Sequence, residues 1–216
     1  LTGAEKQKIV MLNEPVDGVS KLKVNCDYSG GEISISYSGS DNSLNAYIQY
    51  DAAFFTPKLN YEKIGRTGIL DMENEILSNF GFNFDTKSDN VSSQLLLPEK
   101  IPVKLNLDIG MSNLELDLTA VLVSTLNLDF GMGEGTIQLG KGHSPTECKN
   151  MVIGVGMGSL DIKNIGEFTC ESMEFESKIG SLNLDFSDRI EQDFNIDISV
   201  GLGSVSLQVP TNVNVK

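Results

Sequence analysis

The 216-residue chain carries 30 acidic against 16 basic side chains, a formal charge of −14 that repels nucleic acid and anionic membrane surfaces. Aromatic residues make up 7% and Trp is missing, so a core in one large domain or two small ones must be aliphatic. Three cysteines, a single histidine and no C-x-x-C exclude a dense disulfide framework and a soft-ligand metal centre, and no run of eighteen apolar residues marks a membrane span.

Residues 1–20 open with the polar stretch "LTGAEKQKIVMLNEP", which predicts a tether; the start fits a processed precursor or a fragment of an intracellular chain. Residues 21–100 read as a β-rich N-terminal portion or cap. Within them "KLKVNCDYSGGEISISYSG" predicts a strand, a corner and a second strand, and "NAYIQYD" and "TPKLNYEKIGRTGILDMEN" predict further strands with glycine turns. "ILSNFGFNFDTKSDNVSSQLLLP" is less regular and reads as a connecting excursion, after which Pro98 and Pro102 mark the entry to a regular array.

From residue 101 a phrase recurs. Gly110/Ser112, Gly131/Gly133, Gly156/Gly158, Lys178/Gly180 and Gly201/Gly203 align, with first members 21, 25, 22 and 23 residues apart by subtraction. Before them, apolar residues form two columns: Leu105, Leu126, Met151, Met173, Ile196, and Leu107, Leu128, Ile153, Phe175, Ile198. After them, alternation resumes through Leu116, Ile137, Ile162, Leu184 and Leu207. A period of two means strands with one face inward, and glycine at a corner permits positive φ or close backbone approach. The 3.6-residue pattern of a helix is missing. The expected fold is therefore all-β, a single-stranded β-helix whose regular rungs fill residues 101–216; a β-sandwich of the same strands is the alternative, and it explains the columns less well.

The run "LLLPEKIPVKLNLDIGMSNLELDLTAVLVSTLNLDFGMGEGTIQL", with "LKVNCDYSGGEISI" before it, resembles the bacterial toast-rack proteins. That group includes the C-terminal domain of LiaF, the partner part of PspC and proteins named as adhesin candidates. The resemblance implies a β-helical domain outside or at the bacterial membrane, with a link to cell-envelope stress. It implies a protein or cell-envelope component as partner and brings no catalytic residues or cofactor.

Cys148 and Cys170 stand three residues before the equivalent Met151 and Met173, so register stacks them on successive rungs. Two readings follow: a disulfide, closing a loop worth about 3 kcal/mol in the chain-entropy model, or two stacked thiols. Cys26 continues the alternation of Leu22 and Val24 and reads as a core residue. Asp108, Asp129 and Glu176 share an outward column broken by Gly154 and ended by Ser199, which reads as a solvated acidic face or as carboxylates that a Ca²⁺ ion would bridge.

His143, in "GKGHSPTE", has no recognisable nucleophile and orienting group, and "GMGEG" lacks the Lys-Ser/Thr of a phosphate loop. No catalytic, cofactor or metal site is therefore expected. Tyr47, Tyr50, Phe54, Phe55 and Tyr61 form an aromatic neighbourhood, either a binding surface or the filling of an N-terminal cap. The function expected is a non-enzymatic extracytoplasmic interaction or scaffold module of a bacterial cell surface. The rival is a carbohydrate-active enzyme or carbohydrate-binding protein on a β-helix, which would need outward carboxylate pairs and sugar-clamping aromatics.

Overall fold

The computed structural model describes residues 7–40, 42–77, 91–140, 148–168, 170–187 and 195–211. Their strands form one continuous hydrogen-bonded sheet that folds at a corner.

The alternating segments stack as parallel rungs. Lys21–Tyr37 (β2) pairs with Val103–Asp117 (β7), which in turn pairs with Val123–Met132 (β8) on one arm and Glu134–Gln138 (β9) on the other. Asn150–Val155 (β10) and Ser159–Lys163 (β11) follow, then Ser172–Ser177 (β12) and Ser181–Asp185 (β13). Asn195–Val200 (β14) and Ser204–Gln208 (β15) make the last rung among the described residues.

Every expected apolar column is a ladder in register. Leu105, Leu126, Met151, Met173 and Ile196 are successive partners, as are Leu107, Leu128, Ile153, Phe175 and Ile198. On the second arm Leu116, Ile137, Ile162, Leu184 and Leu207 pair in the same way. Alternation puts these side chains on one face, and the return segments close over that face with Leu118, Val121, Leu139, Ile165, Phe168 and Phe186, all buried.

The corners depend on glycine for a concrete reason. Gly133 has φ +127°, where side-chain-bearing residues are strained, and a Cβ there would run into the carbonyl oxygen of Ser112 on the preceding rung. Not every corner interrupts the ladder as the sequence suggests: β2 and β7 pass through theirs as unbroken strands, with Gly30 opposite Met111 and Gly31 opposite Ser112.

At the other end the chain order and the spatial order part company. Thr67–Ile76 (β5) lies parallel to the first half of β2, and Val91–Leu97 (β6) lies parallel to its second half, so together they form a rung on the far side of β2 from β7. Phe55–Ile64 (β4) then pairs antiparallel with β5, and Ser43–Asp51 (β3) pairs antiparallel with β6. The segment read as a tether contains a strand, Gln7–Pro15 (β1), antiparallel to β3. Its apolar residues fall on both faces, Val10 and Leu12 half-buried but Ile9 and Met11 exposed, which hides the strand period. Likewise the expected excursion ends in β6, whose Val91, Leu95 and Leu97 are buried; residues 78–90 lie outside the described residues.

Candidate interaction face

The outward face of the first arm carries two polar columns. Asn25, Asn106 and Asn127 are successive ladder partners, and Asp71 precedes them. Their amides all donate in one direction: Asn127 Nδ2 to Asn106 Oδ1 at 3.0 Å, Asn106 Nδ2 to Asn25 Oδ1 at 2.8 Å, and Asn25 Nδ2 to the Asp71 carboxylate at 2.6 Å. Such a chain ends best on a charge, because an ionised acceptor strengthens the last bond and polarises the others.

Two residues further along each strand runs the carboxylate column. The expected members Asp108, Asp129 and Glu176 are there, interrupted by Gly154 and ended by Ser199. The structure extends it by Asp27 and Glu73, in register with Asp108. Asp108 sits in the middle, and burial, then the charges of Asp27 and Asp129, raise its pKa above the ordinary carboxylate value. Lys58 caps one end, 2.8 Å from Glu73 and 3.6 Å from Glu75. These columns line an open groove of about 530 Å³ whose far end is Lys178. Among the described residues no three His, Cys, Asp or Glu side chains are arranged to hold a metal ion.

Along the corner beside the groove stands an apolar ridge. Met111 pairs with Met132, and the N–H groups of Met157, Ile179 and Leu202 donate to the carbonyls of Gly131, Gly156 and Lys178 at 2.7, 2.9 and 2.7 Å, which sets the five side chains one above another. Their exposure rises from 37% at Met111 to 89% at Leu202. An unbroken line of exposed Met, Ile and Leu on a chain this acidic is the informative exception on a polar surface.

The sequence signal for the asparagine ladder was the repeated N-x-D of "NCD", "NLD" and "NLD", beginning at Asn25, Asn106 and Asn127. The ridge has its own signal, the apolar residue between the two aligned corner positions of each copy.

The aromatic neighbourhood does not gather on one surface. Tyr50, Phe55 and Tyr61 pack against the core, whereas Tyr47 lies on the opposite face of β3 from buried Ala46 and Ile48, its hydroxyl 3.1 Å from Gln49 Oε1. Phe54 sits in the turn after β3, its N–H donating to the Asp51 carbonyl. Cys148 and Cys170 face each other across a parallel bridge in the return segments and form a disulfide, with Cα atoms 4.3 Å apart. Cys26 is free and buried, and desolvation followed by Asp27 and Asp108 pushes its thiol up to about 12. His143 lies outside the described residues.

A parallel β-solenoid, capped by antiparallel strands at one end and displaying linear columns on its outer face, is the class this geometry defines. The family model described as the N-terminal domain of toast_rack, DUF2154, matches residues 2–163, and the chain belongs to that family. Among solved structures, a "putative cell adhesion protein" from Clostridium sporogenes ATCC 15579 is similar at 20% identity and TM-score 0.70, over 94% of this chain and 99% of that one. A "putative adhesin" from Bacteroides fragilis NCTC 9343 is 12% identical with TM-score 0.31, over 93% of this chain and 96% of that one. The first supports the fold described above. No curated protein matches the chain.

Proposed function

We propose that the domain is a non-enzymatic, adhesin-like binding and scaffold module of a bacterial cell surface, with the groove and ridge as its contact face. The observation that carries this reading is the exposed Met111-to-Leu202 ridge running beside a carboxylate-lined groove on a hydrogen-bonded, rigid wall. An elongated face of this kind suits an extended partner with an apolar edge and basic groups. The Cys148–Cys170 disulfide supports an oxidising, extracytoplasmic setting, and the cell adhesion name of the structural relative supports surface contact. Catalysis would need a nucleophile and base, or an acid and base, set against a substrate cleft; the groove offers a row of carboxylates in open solvent.

The test is retention of the folded domain on whole bacterial envelopes, with Met132→Glu and Met157→Glu as ridge variants. Retention by the native chain and loss in both variants is expected. Reproducible turnover of an envelope polysaccharide, abolished by replacing one carboxylate pair, would overturn the reading in favour of a carbohydrate-active enzyme. The finer proposal, a role in cell-envelope stress, predicts that deleting the domain alters induction of an envelope-stress reporter by wall-active antibiotics; unchanged induction refutes it.

A further inference from the structure

The two ends of the stack are built differently. At the N-terminal end the outermost strands β4 and β1 carry Lys58, Lys63 and Lys8 together with Pro57 and Pro15, features that blunt a sheet edge against pairing. At the C-terminal end, among the described residues, β14 pairs only with β12 and β15 only with β13, so one side of each offers N–H and C=O groups without a described strand partner.

The columns say that this last rung is a cut through a core. Ile198 is 40% exposed where Phe175 and Ile153 in the same column are 0%, and Leu207 is 45% exposed where Leu184 is 1%. Val200, below Ser177 and Val155 at 0%, is 46% exposed. A repeat that caps a solenoid normally turns polar on its outer side, and this last described rung keeps apolar residues at its inward positions.

We propose that this rung is an interface between two copies of the chain, joined head to head by antiparallel pairing of β14 with the partner's β15. Charge points to a second copy. Chains of −14 repel one another, and Asn195–Gln208 carries one charged residue, Asp197, whereas Ser172–Asp185 carries Glu174, Glu176, Lys178 and Asp185. Two copies therefore meet with least repulsion here.

The rung is also self-complementary. A two-fold axis through the 201–203 corner sets β14 against β15 of the other molecule on both arms at once. With residues whose numbers sum to 403 placed opposite, Ile196 faces Leu207 of the partner subunit and Ile198 faces Val205 of the partner subunit. Inward meets inward, which continues the core across the junction. On the outer face Asp197 meets Ser206 of the partner subunit, a hydroxyl able to donate to it, so the two Asp197 carboxylates do not oppose each other. Such an isologous contact closes as a dimer and leaves the blunted N-terminal ends outermost.

Light scattering coupled to size exclusion, over a range of concentrations, tests this on the full chain. The expected mass is twice 23.5 kDa. Ile198→Lys and Leu207→Lys should each give monomers with an unchanged far-ultraviolet spectrum, since both side chains, though inward in register, already lie partly open to solvent in the single chain, and Met111→Lys on the ridge should leave the dimer intact. The double variant Asn195→Cys/Gln208→Cys should form a covalent dimer on oxidation, because those positions oppose each other across the axis. A native chain that stays monomeric at every concentration overturns the proposal. So does a dimer that survives both lysine variants, one abolished by Met111→Lys, or a double-cysteine variant that fails to cross-link.

Discussion

Gly133 and Gly39 both have positive φ, +127° and +73°, yet they predict different costs on conversion to alanine. A Cβ on Gly39 meets nothing within 4 Å, leaving backbone strain of about 1 kcal/mol. On Gly133 it strikes the Ser112 carbonyl, and forcing two rungs apart adds overpacking of about 1–3 kcal/mol. Urea denaturation of Gly133→Ala and Gly39→Ala measures the difference; equal losses would show that the corner relaxes freely. Asp108 makes the second residue-level prediction. Its pKa is raised in the fold from 3.8, so the folded chain binds that proton more tightly than the unfolded chain. Stability from this group therefore rises as pH falls through the raised value and is fully gained below 3.8, the reverse of a salt-bridged aspartate. Asp108→Asn should capture the relief at neutral pH, about 0.5 kcal/mol after solvent screening, and flatten the acid limb of a thermal pH profile. Cys26, with its thiol near 12, should resist alkylation in the native state and react only on unfolding.

Among elements, the asparagine ladder is a unit whose members are worth more together than apart. Asn106→Ala leaves the Asn127 amide without its acceptor and the Asn25 carbonyl oxygen without its donor, at a cost of about 1–2 kcal/mol measured by denaturation, whereas Asn127→Ala removes one bond at the end of the row. A cost for Asn106→Ala no more than twice that for Asn127→Ala would mean the bonds act independently. The disulfide ties two return segments separated by 22 residues, so Cys148→Ser with Cys170→Ser should lower stability by about 3 kcal/mol under oxidising conditions. Thermal melts of the native chain with and without reductant provide a check, since the double variant should lose its dependence on reductant. The rungs themselves were legible in the sequence because Leu105 and Leu107 recur at fixed distance from a glycine, and each recurrence became a ladder partner. β1 was not, because Ile9 and Met11 place apolar groups on the solvent side and erase the alternation.

For the whole molecule, local pattern determined which residues pair with equivalents but not where the unrelated segments go. Leu70 and Met72 alternate like any half-buried strand, and nothing near them indicates that they belong beside Val24 and Cys26, on the side away from Leu105 and Leu107. The candidate face was partly readable for the same reason: its carboxylates lie in the repeats, while Asp27 and Glu73 join the column only once β2 and β5 are placed. That insertion has a consequence for synthesis. β2 is complete at Tyr37, yet its neighbours on the two sides end at Leu97 and Asp117. At about 5–20 residues per second, the emerging chain waits roughly 4–16 s between Tyr37 and Asp117 with at least one edge of this long strand unpaired, a template for any extended, apolar polypeptide it meets in that interval.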